Sequence, residues 1–149
     1  MVAIQPVMAA PLVRAVEMGK DEAPPIPTKS SALFSIGVST SSIQSVKTLR
    51  ESSGIAAGVS DDEVLHMQRD LGRLEGLYAE QSSVASVAGV AKLVADGRIP
   101  HDATVVCVLT SGGLKDVDAP GRGLPSIAPI HEDWNEFARF MKSTHNLTV

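Results

Sequence analysis

The segment that most constrains the fold is the run from Ala103 to Thr110 (ATVVCVLT), which consists almost entirely of β-branched and aliphatic residues. A run that is apolar on both faces is typical of a central strand in a parallel sheet with helices on either side. Ser111, Gly112 and Gly113 follow it directly. Ligands gather where parallel strands end, because the loops diverge there and backbone N–H groups are free. The run therefore predicts a buried strand that ends in a candidate ligand-binding turn.

The rest of the chain alternates short apolar runs with helical patterns. Two further runs, at 2–5 and 55–59, predict strands, and 77–80 predicts a brief one. Apolar spacing predicts helices at 9–18, 43–54, 60–76 and 82–97, and a terminal helix that contains Trp134 and Met141. This alternation is the pattern of an α/β fold, and we expect a three-layer open parallel sheet with helices on both faces.

The helix after residue 59 has the clearest boundaries. Ser60 and Glu63 form a capping-box pattern, and Gly76 ends the helix. One apolar stripe is expected along it: Val64, Met67, Leu71, Leu74 and Tyr78.

The next helix is expected to begin with a cap from Ser82 or Ser83. Its small face, which includes Ala85, Ala88 and Ala91, would let it lie close to the sheet.

Composition excludes several functional classes. The chain has 149 residues and a net charge of −4, and its 13 Lys and Arg residues are scattered, so a nucleic-acid partner is not expected. The apolar start, interrupted by Pro6 and Pro11 and lacking a basic leader, predicts neither a signal peptide nor a membrane span. The four histidines are dispersed, so no metal site is expected.

Cys107 is the single cysteine, so an intramolecular disulfide is excluded and a cytoplasmic location is the default expectation. In the middle of the apolar run, Cys107 is expected to be a small buried residue without a redox role. Only 3% of residues are aromatic, so the core must be built from Val, Leu, Ile and Ala.

Two segments without periodicity are expected to be irregular. Residues 19–31 and 118–129 collect proline, glycine and charged or polar residues that support neither a helix nor a strand. We expect two parts in the chain, a main domain over 1–118 and a Pro/Gly-rich segment with a terminal helix over 119–149.

Four motifs occur in a fixed order over about sixty residues: 59–63 (VSDDE), 75–76 (EG), 80–85 (EQSSVA) and 108–116 (VLTSGGLKD). Together they make residues 1–118 resemble the C-terminal part of threonine synthase and related pyridoxal-phosphate (PLP) enzymes of fold type II, the tryptophan synthase β-like superfamily. Gln81 replaces a frequent Pro of that pattern, and Ser111 a frequent Gly. The resemblance implies a partial PLP-dependent fold type II domain.

The resemblance also implies a cofactor site. Thr110 matches the residue whose hydroxyl meets the pyridine nitrogen of PLP, Ser111 and Gly112 belong to the same turn, and Glu80 matches a position near the ring. A neutral hydroxyl does not hold a pyridinium as a carboxylate would, so the ring stays a weaker electron sink. That tuning suits β or γ elimination or replacement on an amino acid, and the leading reaction is conversion of phosphohomoserine to threonine.

In the family, the reactive lysine and the phosphate-binding glycine loop lie in the preceding half. The lysines of this chain occupy loops or polar helix faces, where solvation keeps the amine protonated. No catalytic residue is therefore assigned to this chain, and it is not expected to retain PLP alone. The implied partners are an amino-acid substrate and either an N-terminal half or a second copy. The alternative is a catalytically silent binding module that kept the fold.

Overall fold

The computed structural model describes residues 1–124 and 129–149. Its sheet consists of two parallel strands, β1 (Val2–Pro6) and β2 (Ile55–Val59), paired in register from Val2 with Ile55 to Pro6 with Val59. Both were predicted. The helices in the described residues are α1 (Pro11–Glu17), α2 (Ile43–Glu51), α3 (Asp61–Glu75), α4 (Gln81–Ala95), α5 (Asp118–Gly121) and α6 (Trp134–His145).

The sheet is covered on both faces, which follows from the alternation of side chains along a strand. Ala3 and its register partner Ala56 pack with α1 and α2. Ile4 and its partner Ala57 point the other way and pack with Leu93 of α4. Helices therefore lie on both sides of a parallel sheet, and the predicted α/β class with three layers is confirmed.

The first helix is attached to β1 by a buried side chain. Oε1 of Gln5 accepts hydrogen bonds from the backbone N–H groups of Leu12, at 2.9 Å, and Val13, at 3.2 Å. Two of the N–H groups that a helix start leaves unpaired are satisfied in this way. The sequence pattern contained no indication of this contact.

The α3 helix begins as predicted. The Ser60 side chain accepts from the Glu63 backbone, and the Glu63 side chain accepts from the Ser60 backbone, which completes the capping box. The predicted apolar stripe is wrong at its C-terminal end: Leu74 is 65% exposed, and Tyr78 lies beyond the helix. Gln68 is buried on this helix instead and donates to the Ala79 carbonyl at 2.7 Å.

Three predictions about α4 and the segment before it were wrong. Residues 77–80 form one isolated bridge, Ala79 with Gly112, instead of a strand. Ser82 and Ser83 lie inside α4 and do not cap it, because the helix already begins at Gln81 with Glu80 as its N-cap. Ala91 is exposed, whereas Ala85 and Ala88 are buried as predicted.

The largest difference between the prediction and the structure concerns the predicted central strand at residues 103–110. Residues 103–110 pair with no strand of the described residues, and Val106 and Val108 are 85% and 66% exposed. Cys107 is half-buried, not buried. An apolar run forms a strand only where another backbone completes its hydrogen bonds, and within 1–124 and 129–149 no strand pairs with it.

The last part of the chain contributes little to the core. Residues 118–121, predicted to be irregular, form the short helix α5, and 125–128 of that predicted loop lie outside the described residues. The predicted terminal helix is present as α6, with the Asp133 side chain as its cap and no buried residue. Across 1–124 and 129–149, no helix is both long and apolar enough to cross a membrane.

Candidate functional site

The turn after the apolar run is fixed to the segment that precedes α4. The Glu80 N–H donates to the Ser111 carbonyl at 3.0 Å, and the Gly113 N–H donates to the Tyr78 carbonyl at 3.0 Å. These two bonds flank the bridge between Ala79 and Gly112. The backbone from 110 to 113 is therefore held at the start of α4, although the run before it is unpaired.

Gly113 lies in close contact with the side chain of Tyr78. A Cβ atom built there would lie 2.6 Å from ring carbons of Tyr78, closer than real Cβ contacts allow. The aromatic ring therefore lies directly against the turn.

The Thr110 side chain is attached to α4 through Ser83. The two hydroxyl oxygens are 2.9 Å apart, and the Ser83 oxygen also accepts from the Ser111 N–H at 3.0 Å. Ser83 is 2% exposed, whereas Thr110 is an exposed residue. A buried hydroxyl therefore positions an exposed one at the tip of the turn.

Glu80 is the most buried acidic residue near the turn, at 1% exposed. Its carboxylate accepts a hydrogen bond from the Ser35 hydroxyl and one from the Lys115 ammonium, at 3.0 Å. Burial acts to raise the pKa of Glu80, but hydrogen bonds from Ser35, Lys115 and Ser111 and the charge of Lys115 outweigh it and hold the pKa below its ordinary value. Glu80 is therefore held as a carboxylate.

Lys115 connects three parts of the chain. Besides Glu80, its ammonium lies 3.1 Å from the Ser35 oxygen and 5.4 Å from the centre of the Phe34 ring. Because this lysine is already paired with a buried carboxylate, it is a structural cation in this arrangement.

An open trough of about 370 Å³ lies beside the Thr110 hydroxyl. Its lining residues are Leu77, Tyr78, Ala79, Leu109, Thr110, Ser111 and Gly112. The lining is apolar apart from the hydroxyls and backbone groups, and it contains no lysine. Such a surface offers apolar contact and one exposed hydroxyl to a ligand.

Two buried oxygens at the start of α4 have no hydrogen-bond partner among the described residues: Oε1 of Gln81 and the Ser82 hydroxyl. Buried polar atoms without partners cost free energy. Within the described residues, no group of three or more His, Cys, Asp and Glu side chains has metal-binding geometry.

The structure brings three of the four predicted site residues into one turn: Thr110, Ser111 and Gly112. Glu80 joins this turn through its backbone, and its side chain is directed at Ser35 and Lys115. Reasoning from the sequence missed the roles of Ser83, Ser35 and Lys115. The sequence predicts Ser83 only as a possible helix cap, and no pattern in it connects Ser83 to a residue 27 positions later.

Comparison with curated proteins gives a consistent result. The chain is 41% identical over 118 residues to threonine synthase of Methanosarcina acetivorans, covering 78% of this chain and 29% of that enzyme. Threonine synthase of Mycobacterium bovis is 35% identical over 133 residues, or 89% and 35% of the two chains. Threonine synthase of Methanocaldococcus jannaschii is 33% identical over 144 residues, which cover 95% of this chain and 36% of that enzyme. The chain thus spans about a third of the length of these relatives.

A solved structure has a fold similar to that of this chain. The crystal structure of a threonine deaminase from T.th. matches with a TM-score of 0.59 at 23% identity, over 78% of this chain and 40% of that one. The family described as "Pyridoxal-phosphate dependent enzyme" matches residues 1–111. That match covers most of the chain and includes Glu80, Thr110 and Ser111, so the chain belongs to the pyridoxal-phosphate dependent enzyme family.

Proposed function

We propose that this chain forms one wall of the cofactor site of a PLP-dependent lyase that acts on an amino acid by elimination or replacement at the β or γ carbon. The observation that carries the proposal is the exposed Thr110 hydroxyl, held by buried Ser83 at the edge of an apolar trough. In this proposal, Thr110, Ser111 and Gly112 contact the cofactor. Glu80 acts from behind the turn, through its backbone bond to Ser111.

The residues fit one end of PLP. A flat pyridine ring would lie against Leu77, Tyr78 and Ala79 with its nitrogen toward Thr110. When bound, PLP withdraws electrons from the substrate's reacting carbon, and the neutral hydroxyl of Thr110 keeps that withdrawal moderate. The lining offers no amine to bind the aldehyde end. We therefore propose that the reactive lysine is supplied by another part of a family-length enzyme.

The proposed reaction is formation of threonine from phosphohomoserine. Three relatives named threonine synthase support it, with identities of 33–41% over most of this chain. We also propose the division at 118/119. It falls inside the short helix α5, whose Ala119 and Pro120 are buried, and the support for it is that α6 contributes no buried residue to the domain before it.

The proposed partner is the remaining part of such an enzyme, and a groove beside the sheet supports this. The groove has a volume of about 630 Å³ and lies between β1 and the apolar run of residues 103–110. Residues of α4 and Ile99 also line it. Its lining is Met1, Val2, Ile4, Ser86, Val90, Ile99 and Thr104 to Val108. In the described residues β1 pairs only with β2, and residues 103–110 pair with no strand. An inserted apolar strand would satisfy both backbones and bury Val106.

The test is co-expression of the chain with the part of Methanosarcina acetivorans threonine synthase that it does not match, followed by addition of PLP. The pair is expected to co-purify, to develop an absorbance band characteristic of bound PLP and to release phosphate from phosphohomoserine. The chain alone is expected to show no such band. If the chain alone shows the band, and substitution of one of its own lysines abolishes it, the proposal that the reactive lysine comes from another part of the enzyme is wrong.

Two matched pairs of variants sharpen the test. Thr110→Val is expected to weaken PLP binding by the co-purified pair about tenfold, the effect of one lost hydrogen bond in a site, and Thr144→Val on exposed α6 is expected to have no effect. Val106→Lys is expected to prevent co-purification, whereas Leu74→Lys, also exposed but on α3, is not. Normal co-purification with neither PLP binding nor phosphate release would favour the alternative, a catalytically silent binding module.

A further inference from the structure

The β2 strand has a free edge on the side opposite β1. Within residues 1–124 and 129–149, the sheet contains only these two strands. The Ile55 N–H donates to the Met1 carbonyl at 2.9 Å, so Ile55 directs its backbone groups at β1. Successive residues of a strand direct their backbone groups to opposite sides within the plane of the sheet. The N–H and carbonyl groups of Ala56 and Gly58 are therefore directed away from β1, at the free edge.

This edge is open and lacks the features that commonly protect one. The β2 strand has the sequence IAAGV, with no charged residue and no proline. A cleft of about 640 Å³ lies beside Ala56, Ala57 and Gly58. Because these residues are small, another backbone can approach to the spacing of about 4.8 Å that neighbouring strands adopt. The edge can therefore accept a further strand.

The cleft is bordered by charges of both signs on each face of the sheet. Arg14 and Glu17 of α1 border it on one face. Asp96 and Arg98, at the C-terminal end of α4, border it on the other. Among the described residues, none of these four side chains forms an ion pair. Each face thus presents one cation and one carboxylate, close together in the sequence, beside the free edge.

We propose that the free edge of β2 binds the same edge of a second copy of this chain, in an antiparallel pair whose two-fold axis passes beside Ala57. In this register, Ala56 of one copy lies opposite Gly58 of the other. Each such pair exchanges two N–H···O bonds, and the symmetry creates the pair twice. Ala57 lies opposite Ala57 of the other copy, where antiparallel strands approach most closely and a small side chain fits. The outward backbone groups of Ala56 and Gly58 are then all paired.

The bordering charges favour a second copy over a different partner. A two-fold axis perpendicular to the sheet makes the two α1 helices run in opposite directions. Arg14 of one copy then faces Glu17 of the other, and the reverse pair forms by symmetry. On the other face, Asp96 and Arg98 form the same reciprocal arrangement. A border of like charges would repel its own copy, whereas this border is complementary to itself.

This contact goes beyond the proposed function and does not depend on it. The remaining part of a family-length enzyme is proposed to insert beside β1, which is at the opposite edge of the sheet. Both edges can therefore be occupied at the same time. An assembly that contains two copies of this chain and two of the remaining part is expected.

The first experiment measures amide hydrogen exchange of the 149-residue chain by NMR in a dilute and a concentrated sample. The amides of Ala56 and Gly58 are expected to exchange at least about tenfold more slowly in the concentrated sample, because pairing protects them. The amides of Val2 and Ile4, which alternate with Met1 and face the free edge of β1, should not change. Sedimentation of the same samples should show a dimer. Protection confined to Val2 and Ile4, or a monomer at every concentration, would overturn the proposal.

A charge exchange tests the register. Arg14→Glu is expected to raise the dissociation constant of the dimer at least about tenfold, because it places two carboxylates opposite each other at two symmetric positions. Arg14→Glu combined with Glu17→Arg should restore the wild-type value, which a chain that had merely lost its fold would not do. Arg139→Glu on exposed α6 is the matched control and should have no effect. Unchanged dimerisation of the single variant, or no recovery in the double variant, would contradict the proposed pairing.

The co-purified pair described above separates this inference from the proposed function. Its mass in solution should correspond to two copies of each part. A complex with one copy of each part, in which Ala56 and Gly58 are protected, would show that the remaining part of the enzyme covers this edge, and it would overturn the proposal of a second copy. If no complex forms, the proposed function is contradicted, and the exchange measurement on the chain alone still decides whether β2 pairs with its own copy.

Discussion

The Lys115 ammonium lies 3.0 Å from an oxygen of Glu80, a carboxylate that is almost completely buried at the start of α4. The two residues are 35 positions apart in the chain, and their contact connects the turn after the apolar run with α4. Ser35, which bonds to both, adds a third segment.

Removal of the Lys115 charge should destabilise the fold, because Glu80 would be left buried without its cation. We expect Lys115→Met to lower the free energy of unfolding by about 1–2 kcal/mol, less than for a fully buried pair, since the lysine is half exposed. Urea denaturation measures the loss. Lys142→Met on exposed α6 should change stability little, and Glu80→Gln combined with Lys115→Met should recover part of the loss. Equal effects of the two lysine variants would contradict the assigned role.

The stability of the chain should fall in acid partly because of Glu80. The pKa of Glu80 is lowered from 4.5 in the folded chain. A carboxyl with a lowered folded pKa adds stability above its unfolded pKa, and this is lost as the pH falls through the folded pKa. Glu63, whose pKa is also lowered, mainly by its hydrogen bond from the Ser60 backbone, acts in the same direction.

Thermal melting of the wild type and Glu80→Gln between pH 7 and pH 3 tests this dependence. The wild type should lose more stability than the variant as the pH falls below about 4.5, so the difference between them shrinks in acid. A difference that stays constant over this range would show that Glu80 acts through packing alone.

Two Gly→Ala changes should have opposite effects on stability, because Gly89 lies where α4 packs closely on β1 and Gly72 of α3 has open space around it. At Gly89 an added Cβ would overlap Cδ1 of Ile4 and lie 2.5 Å from its Cγ1. We expect Gly89→Ala to destabilise the chain by about 1–3 kcal/mol through overpacking. At Gly72 of α3 the nearest atom would be 3.9 Å away, so Gly72→Ala should stabilise by about 1 kcal/mol through helix propensity.

Chemical denaturation of the two variants makes the comparison direct. The Gly89→Ala loss should be reduced when Ile4 is shortened to Ala in the same chain. If both glycine variants gained stability, the close packing of α4 on β1 would be wrong.

The sequence was informative wherever local chemistry decides the structure. The strands β1 and β2, the Ser60 cap and the bounds of α3 follow from patterns within about ten residues. The run from Ala103 to Thr110 was misjudged for a physical reason. Its composition suits a strand buried inside a sheet. A strand forms, however, only where a neighbouring backbone completes its hydrogen bonds.

The candidate site also combines features that local sequence indicates with contacts that only the fold creates. Thr110, Ser111 and Gly112 could be selected from the sequence because they follow a strand-like run and match a family motif. The contacts of Ser83, Ser35 and Lys115 join segments 27 to 80 positions apart, and only the fold brings them together. Glu80 was selected for a place near a ring, but its burial between Ser35 and Lys115 could not be read from the motif.

The register of the parallel sheet has a consequence for how the chain folds. Every pair from Val2 with Ile55 to Pro6 with Val59 joins residues 53 positions apart. Parallel strands this distant pair only after the intervening chain has closed, and such non-local contacts form slowly. The capped helix α3 can form early from local contacts, whereas β1 must wait for β2. We therefore expect the amide protons of β1 to gain protection in the last phase of refolding.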